Sequence, residues 1–157
     1  MNDALVSGWA AVYPHLSYRD PAAAIGFLTD AFGLRERVRM ARDDGSVIVA
    51  KLETPGGGLV MVGTPSPEWM RERAPEFRQP DPPAWPHLTH SVSVAVDDVD
   101  AHHRHACARD AVILMAPTDH PWGLRTYAAL DPEGHQWEFC EVLAAVAPEA
   151  WGATAVS

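Results

Sequence analysis

The sequence predicts an α+β fold made of two tandem βαβββ modules, and three observations support this prediction. The same order of strand, helix and turn signals occurs twice along the chain. A helix-opening aspartate precedes the glycine of the last hairpin turn by 37 positions in the first copy, Asp20 to Gly57, and by 36 in the second, Asp98 to Gly134. A segment with seven prolines, 64–87, separates the copies. Shared spacing with few shared residues indicates an old duplication.

The first module, 12–63, opens with a strand and an Ala-rich helix predicted over 22–32. Asp20 is a good N-cap, Pro21 suits the first helical position, and Gly33 can adopt the left-handed conformation that ends a helix. Turn residues then separate three further strands. The predicted strands of this module cover 12–18, 35–42, 46–53 and 58–63.

The second module, 88–142, repeats this order, with Asp98 as the cap of a helix predicted over 99–109. We interpret 117–123 as a loop and the Ala-rich tail, 143–157, as peripheral. One domain is expected, because a chain of 157 residues buries one core of ordinary size. The strands predicted here cover 91–96, 111–116, 124–130 and 136–142.

Composition and charge exclude several classes of partner. The 12 basic and 21 acidic residues give a net charge of -9, which repels nucleic acid and anionic lipid. No run approaches the roughly 20 apolar residues that span a bilayer. Cys107 and Cys140 form no disulfide framework and no CxxC pair, which favours a reducing, cytoplasmic setting.

Residues 13–25, 121–125 and 131–139 carry a family signal, and the strongest part is the turn Asp131-Pro132-Glu133-Gly134 in register with the duplicated frame. These segments resemble the vicinal oxygen chelate superfamily of glyoxalases, bleomycin-resistance proteins and extradiol dioxygenases. The resemblance covers about residues 12–142. It implies an open, barrel-like, eight-stranded mixed sheet with the helices outside and a cavity on the concave face. It implies no particular reaction, because one fold supports many chemistries.

The resemblance also implies where metal ligands would lie. Metal-dependent members place one ligand seven positions before each helix-opening aspartate and one in the last strand of each module. In this chain those positions hold Tyr13, Met61, Ser91 and Glu138. Three of the four are not usual ligands, and a catalytic divalent site needs about three of the His, Asp, Glu or Cys type. The expectation is therefore that no metal cofactor is bound.

Two histidines leave an alternative open. Side chains alternate across a strand, so His90 shares the face of Val92 and not that of Ser91, and we interpret it as a strand-edge histidine unless a bulge resets the register. His15 shares the face of Tyr13 and is expected to face the cavity. A divalent metal held by His15, His90 and Glu138 is the alternative to the metal-free reading.

Three other side chains are candidates for the cavity or its surroundings. Trp122 lies in a Pro-x-Gly loop. Its ring can form a wall at the rim of the cavity, or it can fill the loop as a plug. Arg125 can anchor an anionic group, but a cross-strand ion pair with Glu141 is the simpler account. Glu138 can act as a general base, as an anchor for a cationic ligand or as a plain exposed acid.

These residues predict a metal-independent small-molecule binding protein, resembling the bleomycin-resistance branch, that takes up an apolar or cationic organic compound. The alternative is a glyoxalase- or dioxygenase-like enzyme that uses a divalent metal. A homodimer is expected, because open sheets of this family commonly close against a second copy. The predicted ligand-binding residues are Tyr13, His15, Met61, Ser91, Ser93, Trp122 and Glu138, with Glu138 the best catalytic candidate.

Overall fold

The structure is a computed structural model that describes residues 12–64, 68–73 and 90–156. Its fold is α+β with two βαβββ modules, as predicted. The elements, in chain order, are β1 (His15–Ser17), α1 (Pro21–Phe32), β2 (Arg35–Ala41), β3 (Val47–Glu53), β4 (Leu59–Gly63), α2 (Glu68–Arg73), β5 (Ser91–Ala95), α3 (Val99–Cys107), β6 (Val112–Asp119), β7 (Leu124–Leu130), β8 (Gln136–Val142) and a 3₁₀ turn (Pro148–Trp151).

Each module forms one four-stranded mixed sheet. The strand orders are β1-β4-β3-β2 in the first module and β5-β8-β7-β6 in the second. In both sheets the first strand of the module runs parallel to its last strand, and the other neighbours are antiparallel. The eight strands of the described residues thus stay in two open sheets that do not close into a barrel.

The predicted N-caps of α1 and α3 and the predicted end of α1 are confirmed. The Asp20 carboxylate accepts a hydrogen bond from the Ala23 amide at 3.0 Å, and Asp98 caps α3 in the same way. Helix α1 ends at Gly33, whose φ of +68° is a left-handed conformation that glycine adopts without strain. Both helices therefore begin and end where local chemistry satisfies their terminal backbone groups.

The boundaries of the second module differ from the prediction at β6. The strand runs to Asp119, so the first three residues of the predicted loop over 117–123 are strand. Pro117 is tolerated there because β6 is an edge strand, where a missing N–H costs no internal ladder bond. The register of β6 against β7 shifts between Ile113 and Met115 and again before Thr118, as expected of an edge interrupted by proline.

The predicted linker and tail both contain ordered structure. Within 64–87 the described residues form the short helix α2, while 65–67 and 74–87 lie outside the described residues. The start of the tail packs back on the turn before β7, where the amides of Leu143 and Ala144 donate to the Gly123 carbonyl at 2.8 and 3.2 Å. The 3₁₀ turn follows, so the tail is docked on the second module.

The two modules share one hydrophobic core. The Phe32 ring, at the end of α1, lies 5.8 Å from the ring of Trp137 and 5.0 Å from that of Phe139, both on β8. All three side chains are fully buried, so Trp137 and Phe139 pack against the end of a helix. None of the helices in the described part of the chain is both long enough and apolar enough to span a membrane.

A buried carboxylate also joins the modules. Asp131, the first residue of the D-P-E-G turn, accepts from the Tyr18 hydroxyl at 2.6 Å and from the Trp137 indole at 3.1 Å. The backbone amides of Glu133 and His135 donate to its other oxygen at 3.0 and 3.1 Å. These donors satisfy a charge that is otherwise costly to bury.

Protonation states in this cluster follow from burial and partners. Burial acts to raise the pKa of Asp131, but the hydrogen bonds from His135, Tyr18 and Trp137 outweigh it and hold the pKa below its ordinary value. Burial and the adjacent Asp131 raise the pKa of Tyr18, so its hydroxyl remains a donor. Asp131 is therefore an ionised structural carboxylate that faces the core.

Candidate functional site

Each sheet has one face packed on the core and one face directed away from it, which we call its open face. On β5, Val92 and Val94 are buried, whereas Ser91 and Ser93 are exposed, which confirms the predicted alternation. In β1 the same alternation buries Leu16, exposes His15 and leaves Ser17 half-buried. The predicted ligand-binding residues on the strands therefore lie on the two open faces.

The open face of the first module brings together Tyr13, His15 and Met61. Met61 is the register partner of both His15 on β1 and Lys51 on β3. The Lys51 ammonium lies 6.0 Å from the centre of the Tyr13 ring. The His15 imidazole lies directly over Gly63, and partial burial there lowers its pKa, which favours the neutral ring.

The open face of the second module centres on Glu138. The Ser93 hydroxyl donates to the Glu138 carboxylate at 2.9 Å, and Ala128 of β7 lies opposite Glu138 on the other side. Burial and the adjacent Glu138 raise the pKa of the Cys140 thiol to about 11, so this thiol stays protonated and donates to the same carboxylate. Ser91 lies two positions from Ser93 on the same exposed edge.

A depression lies next to Cys140 at the end of this open face. Its volume is about 320 Å³. The hairpin tip of the first module closes one side, because Gly56 approaches β5 so closely that a Cβ there would lie 2.9 Å from the Ala95 carbonyl oxygen. The residues that line the depression are Gly56, Ala95, Val96, Asp97, Cys140, Glu141 and Val142.

This arrangement of sheets and faces has relatives among known proteins. The model of the Glyoxalase/Bleomycin resistance protein/Dioxygenase superfamily matches residues 10–139. The chain belongs to this superfamily.

Individual relatives agree with this assignment. An uncharacterised protein of Mycobacterium bovis is 32% identical over 127 residues, which cover 81% of this chain and 80% of the relative. The crystal structure of TioX from Micromonospora sp. ML1 is similar at 35% identity with a TM-score of 0.65, covering 85% of this chain and all of that one. TnmS3 from Streptomyces sp. CB03234, described as an antibiotic binding protein, shares the fold at 18% identity and a TM-score of 0.60, over 85% of this chain and 97% of TnmS3.

The side chains do not fit a metal site of the type that the superfamily implies. Metal-dependent members take ligands from both modules, but of Tyr13, Met61, Ser91 and Glu138 only Glu138 is a donor of the His, Asp, Glu or Cys type. Across 12–64, 68–73 and 90–156, no group of three His, Cys, Asp or Glu side chains is placed to hold a metal ion.

His90 lies where strand alternation predicts it. Its ring centre is 6.2 Å from that of the buried His135, which shares the core side of the sheet with Trp137. Glu138 projects from the opposite side of the same sheet. His90 therefore does not converge with Glu138.

Trp122 lies at the rim of the second open face. Its ring stacks on that of His120 with centres 4.4 Å apart and planes inclined by 10°. His120 in turn shares a hydrogen bond of 2.8 Å with the Thr126 hydroxyl, and Thr126 is the register partner of Cys140. Trp122 stays 41% exposed, so it borders the open face and does not plug the core.

The contacts of Arg125 differ from the prediction. It does lie opposite Glu141 in the ladder, but its guanidinium contacts Asp100 on α3 and Asp119 on β6. The hydrogen bonds that Arg125 donates to these two carboxylates raise its pKa. Glu141 instead accepts from the Val99 amide at 2.9 Å, at the first turn of α3. The predicted Arg125–Glu141 ion pair is thus wrong, because a helix N-terminus competes for the acid.

Among the histidines of α3, the half-buried His102 connects this helix to the end of α1. The Tyr127 hydroxyl lies 2.6 Å from Nδ1 of His102, and Nε2 lies 3.2 Å from the Phe32 carbonyl. Since a carbonyl only accepts, Nε2 carries the proton and Nδ1 accepts from Tyr127. Burial lowers the pKa of His102, which keeps this link between the helices neutral.

Sequence reasoning missed four residues around the second open face. Thr126 and Cys140 share the strand parity of Glu138, so alternation along β7 and β8 could have found them. His120 and Trp151 carry no such signal, because they lie in a turn and in the tail. Trp151 reaches the site only through the docked tail, which places its ring 6.0 Å from that of Trp122.

Proposed function

We propose that the chain is a metal-independent small-molecule binding protein that holds an apolar or cationic organic compound against the open face of the second module. The observation that carries this proposal is the position of Glu138. Its carboxylate lies on a half-buried open face with the neutral donors Ser93 and Cys140. Within the described part of the chain no Lys or Arg pairs with it, so a bound cation would supply the missing charge.

Two further points support the proposal. The superfamily's metal positions hold a thioether at Met61 and a neutral hydroxyl at Ser91, which bind divalent metals weakly, and the described residues contain no group of three His, Cys, Asp or Glu placed for a metal ion. TnmS3, which shares the fold, is described as an antibiotic binding protein, so the architecture supports binding of organic compounds. Both cysteines are free thiols, in keeping with action in the cytoplasm.

The first test uses two ions of equal shape and opposite charge, tetraphenylphosphonium and tetraphenylborate. We expect the protein to prefer the cation, and Glu138→Gln to lower the affinity for it by about tenfold, equal to about 1.4 kcal/mol. The affinity for the anion should not fall, because the substitution removes a negative charge. Equilibrium dialysis measures both.

Glu141→Gln is the matched control, since Glu141 lies on the same strand with its side chain at the start of α3. This variant should lose about 1 kcal/mol of stability and keep the affinity of the parent protein. If Glu138→Gln unfolds more readily than Glu141→Gln and binds both ions like the parent, Glu138 is structural and the proposed site is wrong.

A second prediction concerns metal. Protein purified without an affinity tag should contain less than a stoichiometric amount of Zn, Ni, Mn or Fe, and its melting temperature should not change in chelator. The reason is the poor donor set at Tyr13, Met61, Ser91 and Glu138. Elemental analysis and a melting curve check this. About one metal per chain, with a melting temperature that falls on chelation, would favour the glyoxalase- or dioxygenase-like enzyme instead.

A third prediction concerns assembly, and we expect a homodimer. The open face of the first module carries Lys51 and the exposed Met40, while that of the second carries Glu138 and the exposed Val142. A two-fold axis can set the edges of these faces against a second copy, which covers the exposed Met40 and Val142 and leaves the face around Glu138 open to a ligand. Light scattering should give twice the chain mass of 17.1 kDa, and a value of 17.1 kDa at micromolar concentration would contradict the prediction.

A further inference from the structure

Three aromatic side chains form a cluster at the rim of the second open face, and we call it the aromatic corner: His120, Trp122 and Trp151. His120 covers one face of Trp122 in a nearly parallel stack. The rings of Trp122 and Trp151 are inclined at 63° to each other. A planar group that stacks on one of these indoles therefore presents its edge towards the other, a geometry that aromatic rings favour.

The tail builds this corner. The superfamily match ends at residue 139, so Trp151 comes from a segment beyond it. Gly123 anchors that segment: its carbonyl accepts two tail amides, and a Cβ at Gly123 would lie 2.2 Å from the Ala144 carbonyl oxygen. With a φ of +85°, Gly123 also has a conformation that other residues rarely adopt. The chain thus holds the tail close enough to bring Trp151 beside Trp122.

A chain of contacts connects the corner with Glu138. His120 bonds to Thr126, Thr126 pairs with Cys140, and Cys140 bonds to the Glu138 carboxylate. All three positions after His120 face the same side of the sheet. Thr126 itself is buried, so the corner and the acid lie on the same side of the sheet and are linked through Thr126 and Cys140.

Exposure of the corner is the feature that requires an explanation. Trp122 and Trp151 are 41% and 40% exposed, and the adjacent Val142 and Leu143 are exposed as well. Large aromatic groups gathered with other apolar side chains at the edge of a sheet face are typical of ligand sites. A tail that served only as a cover would bury these rings.

We propose that the aromatic corner is a stacking subsite for a planar aromatic ring of the ligand. This inference rests on the proposed function and adds the ligand class to it: the compound carries a flat, aromatic or heteroaromatic ring system that stacks on one of the two indoles and turns its edge to the other. Its positive charge, where present, lies towards Glu138. Indole faces also attract such cations through their electron-rich surface.

The experiment compares a planar cation, 9-aminoacridine, with the non-planar tetraphenylphosphonium. Trp122→Ala and Trp151→Ala should each weaken the binding of 9-aminoacridine by about tenfold, within the range for loss of one stacking partner. Trp151→Phe should keep most of the affinity, because a ring remains. Val156→Ala, a change at a 93% exposed position of the same tail, is the matched control and should bind like the parent.

The two probes separate the subsite from the proposed function. Glu138→Gln should weaken both cations, whereas Trp151→Ala should weaken only 9-aminoacridine. If the affinity of Trp151→Ala for 9-aminoacridine lies within twofold of the parent's, the proposed stacking subsite is wrong. This holds even where tetraphenylphosphonium binding still depends on Glu138. A tail that becomes sensitive to protease in Trp151→Ala without any loss of affinity would show that the corner only anchors the tail. Failure of the parent to bind 9-aminoacridine below about 1 mM would overturn the inference as well.

Discussion

Asp131→Ala is expected to lower the free energy of unfolding by about 3–5 kcal/mol, the range for a buried charged group removed from its partners. The substitution leaves the Tyr18 hydroxyl and the Trp137 indole buried without their acceptor. It also removes the acceptor for two amides of the D-P-E-G turn. Urea unfolding followed by circular dichroism measures the loss.

Controls separate the network from the mere loss of a carboxylate. Tyr18→Phe removes one donor and should cost about 1–2 kcal/mol, whereas Asp43→Asn, at an exposed turn, should be nearly neutral. A loss below about 1 kcal/mol for Asp131→Ala would contradict the prediction, because a buried acceptor with several donors contributes more than that.

The same network sets a pH dependence. The pKa of Asp131 is lower in the folded state than in the unfolded chain, so its contribution to stability is fully present above the unfolded value of about 3.9. That contribution is lost as the pH falls through the folded pKa. The free energy of unfolding of Asp131→Asn should therefore fall less steeply with decreasing pH than that of the parent. An equally steep fall in both proteins would show that other carboxylates cause the loss of stability in acid.

Phe32→Ala is expected to cost about 3–5 kcal/mol, the usual loss when a buried aromatic ring is truncated. The ring lies between the first helix and two aromatic residues of the last strand, so its loss opens a cavity between the modules. Phe32→Leu should cost less than half as much, because most of the volume is kept. Val112→Ala, at a 57% exposed position, is the control and should be close to neutral.

The cooperativity of unfolding is part of this prediction. Since one core contains residues of both modules, parent and Phe32→Leu should each unfold in a single cooperative step. Fluorescence and circular dichroism should report the same midpoint. Two separate midpoints in the parent would show that the modules unfold independently and would contradict the expectation of one domain.

Local chemistry made the fold predictable. The caps at Asp20 and Asp98, the stop at Gly33 and the alternation along β5 all depend on residues within a few positions of each other. The boundary of β6 was not predictable in this way. Whether a proline interrupts a strand depends on whether that strand lies at the edge of its sheet, and the edge is decided by the order of all four strands.

The site was predictable only in part, for a similar reason. Strand parity located Glu138 and Ser93 on one face, but it could not show that their side chains bond to each other. Arg125 was expected to pair with its ladder neighbour Glu141, but its partners are Asp100 on the helix and Asp119 on the neighbouring strand. Trp151 was outside any periodic segment, and only the docking of the tail on Gly123 brings it to the site.

The bond between Tyr18 and Asp131 joins positions 113 residues apart, and this separation has a consequence for synthesis of the protein. At a ribosomal rate of about 5–20 residues per second, the acceptor is made about 6–23 s after the donor. During this interval the nascent first module lacks Trp137 and Phe139, so the Phe32 ring at the end of α1 has no partner from the last strand to cover it. We expect chaperones that bind exposed apolar segments to act on this chain before its last strand leaves the ribosome.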